Sequence, residues 1–435
     1  MREALRGLTI RGRSFLVAGL AATVCALVLG EKDLLRVAVL LLILPVLAIA
    51  YVGRNRHTLT CSRSLDPRRV TVDGSARIVL RLENRSRLPT GTLLLEDQLP
   101  PELGRRPRVV LERLGVRQAS SVSYTVYADL RGRYDIGPLV VRLTDPFGLC
   151  ELTRVFPDVD RLTVLPRVVP LPSVRLPGAH GGTGENHARS VAAPGDDDTS
   201  TREYRRGDDL RRVHWKSTAR TGALMVRREE QPWESAALLA LDTRLSAHVG
   251  DGPTSSFEWA VSAAASIAAH LTRAGYKLRL VTGPGNDSGP AEWHAPPAVA
   301  GQLALDRLAD VRLAPGELGE LVDRVRRHND TGLVIAVLGA LTPAEAELLA
   351  GLRITGVTCV GLLIDTASWR EGPSTTAVAE DPAHQATALA LAHSGWRVVG
   401  ISRDADLAAL WPHVTQGTQG FAWRAALADT IAGGQ

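Results

Sequence analysis

Two apolar runs near the start of the chain constrain its fold more than any other feature. Ser14–Gly30 (SFLVAGLAATVCALVLG) carries no charge, and Leu34–Gly53 (LLRVAVLLLILPVLAIAYVG) carries one, Arg36, close to its start. At about 1.5 Å per helical residue, each run spans roughly 25–30 Å, the thickness of a bilayer's hydrocarbon core. Arg36 can snorkel to the near interface, Tyr51 suits the far one, and Pro45 is tolerated in a membrane helix. A cleaved signal peptide also has a basic start and an apolar core. No good small-x-small cleavage site precedes the second run, however, and the two runs lie only three residues apart. Residues 1–57 therefore read as a transmembrane hairpin. Arg2, Arg6, Arg11 and Arg13 precede it and Arg54, Arg56 and Arg63 follow it, whereas the connecting Glu31-Lys32-Asp33 is net negative. The positive-inside rule then predicts a two-span cell-membrane protein with its soluble body in the cytoplasm.

The remaining chain has room for two or three domains. Residues 58–166 alternate with a period of two, and Ala76–Glu83, Gly91–Glu96, Arg108–Glu112, Ser121–Ala128 and Leu139–Leu143 read as strands. Short strands without an intervening helix predict a β-sandwich, acting as a spacer or docking module. Residues 167–201 are rich in Pro, Gly and small polar residues and read as a linker. Their GAHGGTG stretch lacks the Lys-Ser/Thr of a phosphate loop and has Glu185-Asn186 in its place. From residue 231 to 435 strands and helices alternate: Ala236–Asp242, helix Phe257–Ala274, Tyr276–Thr282, Gly332–Leu338, helix Thr342–Leu352, Thr358–Ile364, helix Ala386–His393 and Arg397–Ile401. That pattern predicts a doubly wound α/β sheet with its ligand crevice at the strand C-terminal ends.

Composition excludes more than it assigns. The formal charge is only +5, and all but three of the basic residues are Arg, an excess spread along the whole chain, so nucleic acid is not an expected partner. Cys25, Cys61, Cys150 and Cys359 are scattered without a Cys-x-x-Cys pair, which points to reduced thiols rather than a zinc site or disulfide network.

The densest polar stretch is residues 202–230. Asp208 or Asp209 is placed to cap a helix over Leu210–Ala219 that Gly222 stops. Leu210, Val213 and Ser217 would share one face, with Arg211, Arg212, Lys216 and Arg220 around the rest. Such a segment can be a salt-bridged surface helix or an electropositive dock for an acidic partner. His214 with Asp208 or Asp209 is the available acid–base pair for a hydrolase or transferase. A third reading gives the arginines to anionic lipid headgroups. No carboxylate–His–nucleophile set can be assembled, and no cofactor is expected.

The segment resembles the signature of the domain-of-unknown-function 58 family. The matching residues are Arg202-Glu203-Tyr204, Gly207-Asp208-Asp209, Arg212, His214-Trp215, Ala219-Arg220, Gly222 and Met225-Val226-Arg227. A second hallmark also matches, as Arg131-Gly132-Arg133-Tyr134, Gly137-Pro138 and Asp145-Pro146-Phe147-Gly148-Leu149. The resemblance implies a C-terminal domain like von Willebrand factor type A. It also implies an AAA+ ATPase of the methanol-dehydrogenase-regulator type as partner, often with a transglutaminase-like membrane protein. Domains of the von Willebrand type hold a divalent cation through Asp-x-Ser-x-Ser after the first strand. Here the stretch is Asp242-Thr243-Arg244-Leu245-Ser246. Asp242 and Ser246 remain, but Arg244 brings a cation toward the metal position, and Gly339-Ala340 after a later strand supplies no carboxylate. The site reads as degenerate and metal-free, with an Arg244–Asp242 ion pair as substitute. The resulting expectation is a membrane-anchored, non-enzymatic scaffold that works with a cytoplasmic ATPase in envelope-related or complex-assembly processes.

Overall fold

The computed structural model describes residues 7–56, 59–87, 89–145, 147–174, 201–204, 213, 215–227, 235–283, 293, 295–328, 331–352, 357–370 and 381–414. The chain divides into two compact units. One comprises Met1–Val168, Asp251–Thr254 and Leu305–Val311; the other comprises Val169–Gly250, Ser255–Ala304 and Arg312–Gln435.

The first unit begins with two apolar helices, α1 (Ile10–Leu29) and α2 (Lys32–Arg56). Both contain a stretch long and apolar enough to cross a membrane, Ile10–Leu29 with a mean hydropathy of 1.9 and Lys32–Val52 with 2.6. Val17, Leu20, Val24, Leu27, Leu40 and Val46 are exposed, whereas Ala48 and Val52 near the end of α2 are buried in the β-rich core and Phe15, Leu44, Ile49 and Tyr51 pack against it. Gly30, in the left-handed region at φ 71°, turns the chain between them, and Asp33 pairs with Arg36 in the first turn of α2. Both open ends of the hairpin are fastened to the β-rich part of the unit. The Thr9 amide donates to Leu149 O at 3.0 Å, its hydroxyl to Gly148 O at 2.7 Å, and the Glu151 amide to Gly7 O at 2.7 Å. At the other end, the Tyr51 hydroxyl donates to Pro89 O at 2.6 Å. Gly12 permits the approach, because a Cβ there would lie 2.2 Å from Leu149 O.

The middle region contains strands β1 (Leu59–Asp66), β2 (Arg69–Thr71), β3 (Ser75–Asn84), β4 (Thr92–Asp97), β5 (Arg108–Leu111), β6 (Ala119–Tyr127), β7 (Gly132–Ile136), β8 (Leu139–Thr144), β9 (Glu151–Phe156) and β10 (Asp160–Leu165). They form sheets of order β1-β3-β6, β2-β10-β7 and β5-β4-β8-β9. The period of two is visible in β3, where Ala76, Ile78, Leu80 and Leu82 are buried alternately and join Leu93, Leu95, Ile136, Val141 and Leu162 in one core. Arg63 does not flank the hairpin as a free charge. Its side chain is 4% exposed and grips Asp97, 1% exposed, through Nη2–Oδ1 at 2.6 Å and Nε–Oδ2 at 3.1 Å. Its Nη1 donates to Ile136 O and Asp158 O, and the Tyr124 hydroxyl donates to Asp97 at 2.6 Å. Burial first, then the bond to Asp97 and its charge, push the Tyr124 hydroxyl well above its ordinary pKa.

The second unit is built on a parallel sheet of β13 (Ala236–Leu241), β14 (Lys277–Thr282), β15 (Leu333–Leu338), β16 (Thr358–Ile364) and β17 (Arg397–Ile401). The strand order is β14-β13-β15-β16-β17, parallel throughout. Every residue of β15 (LVIAVL) is buried, as expected of a strand covered on both faces. The crossovers carry α4 (Ser256–Arg273), α5 (Pro297–Asp310), α6 (Leu318–Arg326), α7 (Pro343–Ala350), α8 (Ala367–Arg370) and α9 (Pro382–His393). Ser255 caps α4, whose Ala263, Ile267 and Leu271, stacked at i, i+4 spacing, are buried while Trp259 in the same row is half-buried. Alanines at 260, 264, 265 and 268 are buried as well, so α4 packs on more than one face. The first residues of the expected linker are docked: the Val169 amide donates to Ser266 Oγ at 2.9 Å, and Leu171 is buried. Residues 175–200, including the glycine-rich stretch, lie outside the described residues.

Removing the Asp97 carboxylate takes the bidentate partner from a buried guanidinium and leaves it only the carboxylate of Asp160 at 3.4 Å, which costs about 3–5 kcal/mol. Asp97→Ala should lower the thermal midpoint of the detergent-purified protein sharply. Pairing it with Arg63→Met should recover much of the loss.

Candidate functional site

Two places carry the chemistry that the sequence singles out. In the first, the 202–230 segment folds back on itself. β11 (Thr201–Glu203) pairs antiparallel with β12 (Met225–Arg227), placing Arg202 opposite Val226 and Glu203 opposite Met225. The Tyr204 amide donates to Leu224 O at 2.8 Å. The helix between them, α3, is Trp215–Thr221 rather than Leu210–Ala219. Val213 makes an isolated bridge to Val226, and both side chains are buried. This β-branched residue is therefore extended, and the helix starts after it. The Met225 amide donates to Thr218 Oγ1 at 3.0 Å, tying α3 to β12. Gly222, at φ 73°, follows the last turn as expected. Tyr204 is half-buried, Glu203 and Arg220 are exposed, and Trp215 is 70% exposed. Arg202 and Arg227 are placed by the strand pairing alone. Gly207, Asp208, Asp209, Arg212 and His214, and with them the cap and the acid–base pair, lie outside the described residues.

The second place follows from strand order. β14 lies on one side of β13 and β15 on the other, so the chain reverses direction across the sheet between β13 and β15. The crevice at such a switch point is where doubly wound sheets hold ligands. Asp242 follows β13 directly, and its amide still pairs with Val337 O of β15 at 2.9 Å. The Arg244 guanidinium fills the space over it. Nη2 lies 2.8 Å from Asp242 Oδ2, Nε lies 3.0 Å from Oδ1, and Arg244's own amide donates to Oδ1 at 3.1 Å. Nη1 is ion-paired to Glu345, and Nη2 also donates to Ala340 O at 3.3 Å. The Gly339 amide donates to Asp242 Oδ2 at 3.3 Å. A Cβ on Gly339 would lie 2.2 Å from Ala247 O, so only glycine allows the loop after β13 to cross here. The ion pair read from Asp242-Thr243-Arg244 is thus present, and Arg244 stays charged: burial disfavours its cation, but the bonds and charge of Asp242, with Glu345, more than offset this and raise its pKa. Ser246 is exposed in the turn and is not among these partners. Among the described residues, no cluster of three or more His, Cys, Asp or Glu is placed to hold a metal ion.

Sequence reasoning did not reach Glu345 or His248. Glu345 belongs to a capping box on α7: Oε2 accepts from the Thr342 amide at 2.8 Å while Oε1 meets Arg244. Thr342-x-x-Glu345 is legible as a capping box, although its distant partner is not. His248 lies beneath, with Nε2 3.0 Å from Asp242 O and Nδ1 3.3 Å from Ser256 Oγ. A carbonyl only accepts, so Nε2 carries the proton and Nδ1 accepts from the Ser256 hydroxyl. Burial, aided by the Arg244 charge, lowers the His248 pKa below its ordinary 6.5 despite the opposing pull of Asp242.

Residues 200–308 match the family model described as protein of unknown function DUF58. This segment is similar to a DUF58 domain. It contains the β11–α3–β12 fold-back and the Asp242–Arg244 pair. A Bacillus subtilis (strain 168) protein, YeaD, described as uncharacterized, is 28% identical over 218 residues, which is 47% of this chain and 51% of that relative. The chain thus spans about half the length of the curated relative it matches. Among solved structures, a CARDB domain from Pyrococcus furiosus is similar at 14% identity over 25% of this chain and 87% of that one, with a TM-score of 0.19. A cohesin module from a Clostridium perfringens family 33 glycoside hydrolase is similar at 10% identity over 25% of this chain and 96% of that one, with a TM-score of 0.20. Overlaps this small bear on neither fold nor function.

Two outcomes test the switch-point geometry. Arg244→Ala leaves the buried Asp242 carboxylate unpaired and should cost about 3–5 kcal/mol of stability in chemical denaturation. His248 makes stability depend on pH in one direction, because the unfolded state binds a proton near pH 6.5 that the folded state resists. Stability should therefore fall as the pH drops below about 6.5, and His248→Gln should flatten part of that slope in thermal melts.

Proposed function

We propose that this DUF58 chain is a membrane-anchored, non-enzymatic interaction protein whose α/β unit docks an AAA+ ATPase on the cytoplasmic side. In this reading α1 and α2 cross the bilayer, the β-rich region is a two-layer sandwich, and the α/β unit is of the von Willebrand factor type A kind. The observation that carries the proposal is the occupied crevice. The place where a doubly wound sheet would hold a ligand or cation is taken by the chain's own Arg244, paired to Asp242 and Glu345. A site filled this way favours recognition over turnover.

Two further features support the reading. Trp215 is 70% exposed in the family segment, and a large exposed aromatic is the kind of residue that anchors a protein interface. The outward-facing apolar side chains of α1 and α2 suit lipid, and the arginines before the uncharged run of α1, opposed to the acidic turn at Glu31-Lys32-Asp33, favour a cytoplasmic body. The ATPase as partner, of the methanol-dehydrogenase-regulator type and possibly joined by a transglutaminase-like membrane protein, rests on the family resemblance.

Affinity capture with the tagged full chain from detergent extract should recover an AAA+ ATPase. Trp215→Ala should weaken that capture about tenfold or more, given the roughly 2 kcal/mol or more that an anchoring aromatic contributes. Recovery of no ATPase, with or without nucleotide, would overturn the partner. Trypsin that reaches the soluble body from outside intact cells would overturn the orientation.

A further inference from the structure

The turn between β8 and β9 carries an apolar side chain that the fold leaves uncovered. Phe147 is 62% exposed, whereas its neighbours Leu149 and Cys150 are 2% and 0% exposed and take the inward positions. The turn is rigidly built. The Asp145 carboxylate accepts from the Phe147 amide at 2.9 Å and the Cys150 amide at 2.6 Å, and the Gly148 amide closes onto Asp145 O at 3.0 Å. The outward aim of Phe147 therefore follows from the turn itself.

This turn is also the part of the β-rich region that holds the start of α1. Gly148 O and Leu149 O both accept from Thr9, the residue that caps the helix, and Leu149 O lies against Gly12. Uncharged sequence begins at Ser14, two residues beyond Gly12, or about 3 Å further along a helix. The turn thus lies level with the edge of the apolar run, at the depth of lipid headgroups if α1 crosses a bilayer. The Arg11 guanidinium approaches the same turn, its Nη1 3.7 Å from where a Cβ on Gly148 would sit. An aromatic ring and an arginine side by side at this depth match the two chemistries of a membrane interface: the upper acyl chain and the lipid phosphate.

We propose that Phe147 and Arg11 form an interfacial anchor. Phe147 enters the headgroup–acyl boundary of the membrane that α1 and α2 cross, Arg11 meets lipid phosphate, and the β-rich region is thereby held at a fixed height against the bilayer. This rests on the reading of α1 and α2 as membrane spans.

Environment-sensitive thiol labelling of the full chain in phosphatidylcholine–phosphatidylglycerol vesicles separates the two claims. Cys25 lies exposed on α1. Cys61, Cys150 and Cys359 are replaced by Ala so that one chosen position carries the label, which is attached in detergent before reconstitution. In that background Cys25 reports the span, and Cys25→Ser/Phe147→Cys reports the turn. The label at position 147 should show blue-shifted emission and be quenched more by lipids with a nitroxide at the headgroup or upper chain than by those with a mid-chain nitroxide. The label on Cys25 should show the opposite preference. Arg11→Glu should reduce the quenching at 147. A label at 147 that only aqueous iodide quenches, while Cys25 still responds to mid-chain nitroxide, overturns the anchor and leaves the spans intact. Loss of lipid quenching at both positions overturns the spans and the anchor together.

Discussion

Peptide groups that leave an apolar helix need partners, and this chain supplies them from its own β-rich region. Thr9 caps α1 and at the same time donates to the turn after β8, while Tyr51 near the end of α2 reaches Pro89. Each helix end is thus hydrogen-bonded to the β-rich region that follows the hairpin. A hairpin joined to its domain only through residues 57 and 58 would swivel. This one is fixed at two points, and the closeness of Gly12 to Leu149 O leaves little play at the first of them. The second family hallmark contributes directly to that joint, because Asp145 braces the turn that receives Thr9.

The α/β unit shows a different economy of charge. A lone buried carboxylate at the end of a central strand calls for a cation, and metal and arginine are alternative ways of providing one. Arg244 sits two residues from Asp242, so its ion pair forms within a single turn of chain and needs no dissolved partner. The guanidinium saturates both Asp242 oxygens and keeps donors for Glu345 and Ala340 O. Geometry of that quality offsets the desolvation that otherwise makes buried pairs weak sources of stability.

Much of this was legible in the residues because it is local. The uncharged runs marked both apolar helices, the two-residue alternation marked β3, and the buried run LVIAVL marked the central strand. The strands of the β-rich region that the sequence reading missed are short or carry charged and polar residues: Leu59–Asp66, Arg69–Thr71, Gly132–Ile136, Glu151–Phe156 and Asp160–Leu165. Their place is set by neighbouring strands rather than by their own composition. The helix after Asp209 began later than expected because Val213 pairs with a strand thirteen residues on, a tertiary preference that a helical wheel cannot register. At the candidate site, the Asp242–Arg244 pair was readable from a two-residue spacing. Glu345, separated from Arg244 by 101 positions, and His248, identified only by what surrounds it, needed the fold.

Glu345 gives the crevice a mechanical property. One of its oxygens closes the first turn of α7 through the Thr342 amide, and the other holds Arg244. The loop after β13 and the N-terminus of α7 are therefore linked through one carboxylate. Drawing Arg244 outward loads the cap of α7, and unwinding that cap removes one of the two carboxylates that hold Arg244. A force applied at either end is felt at the other, so the crevice works as a linkage between two surface elements rather than as a container.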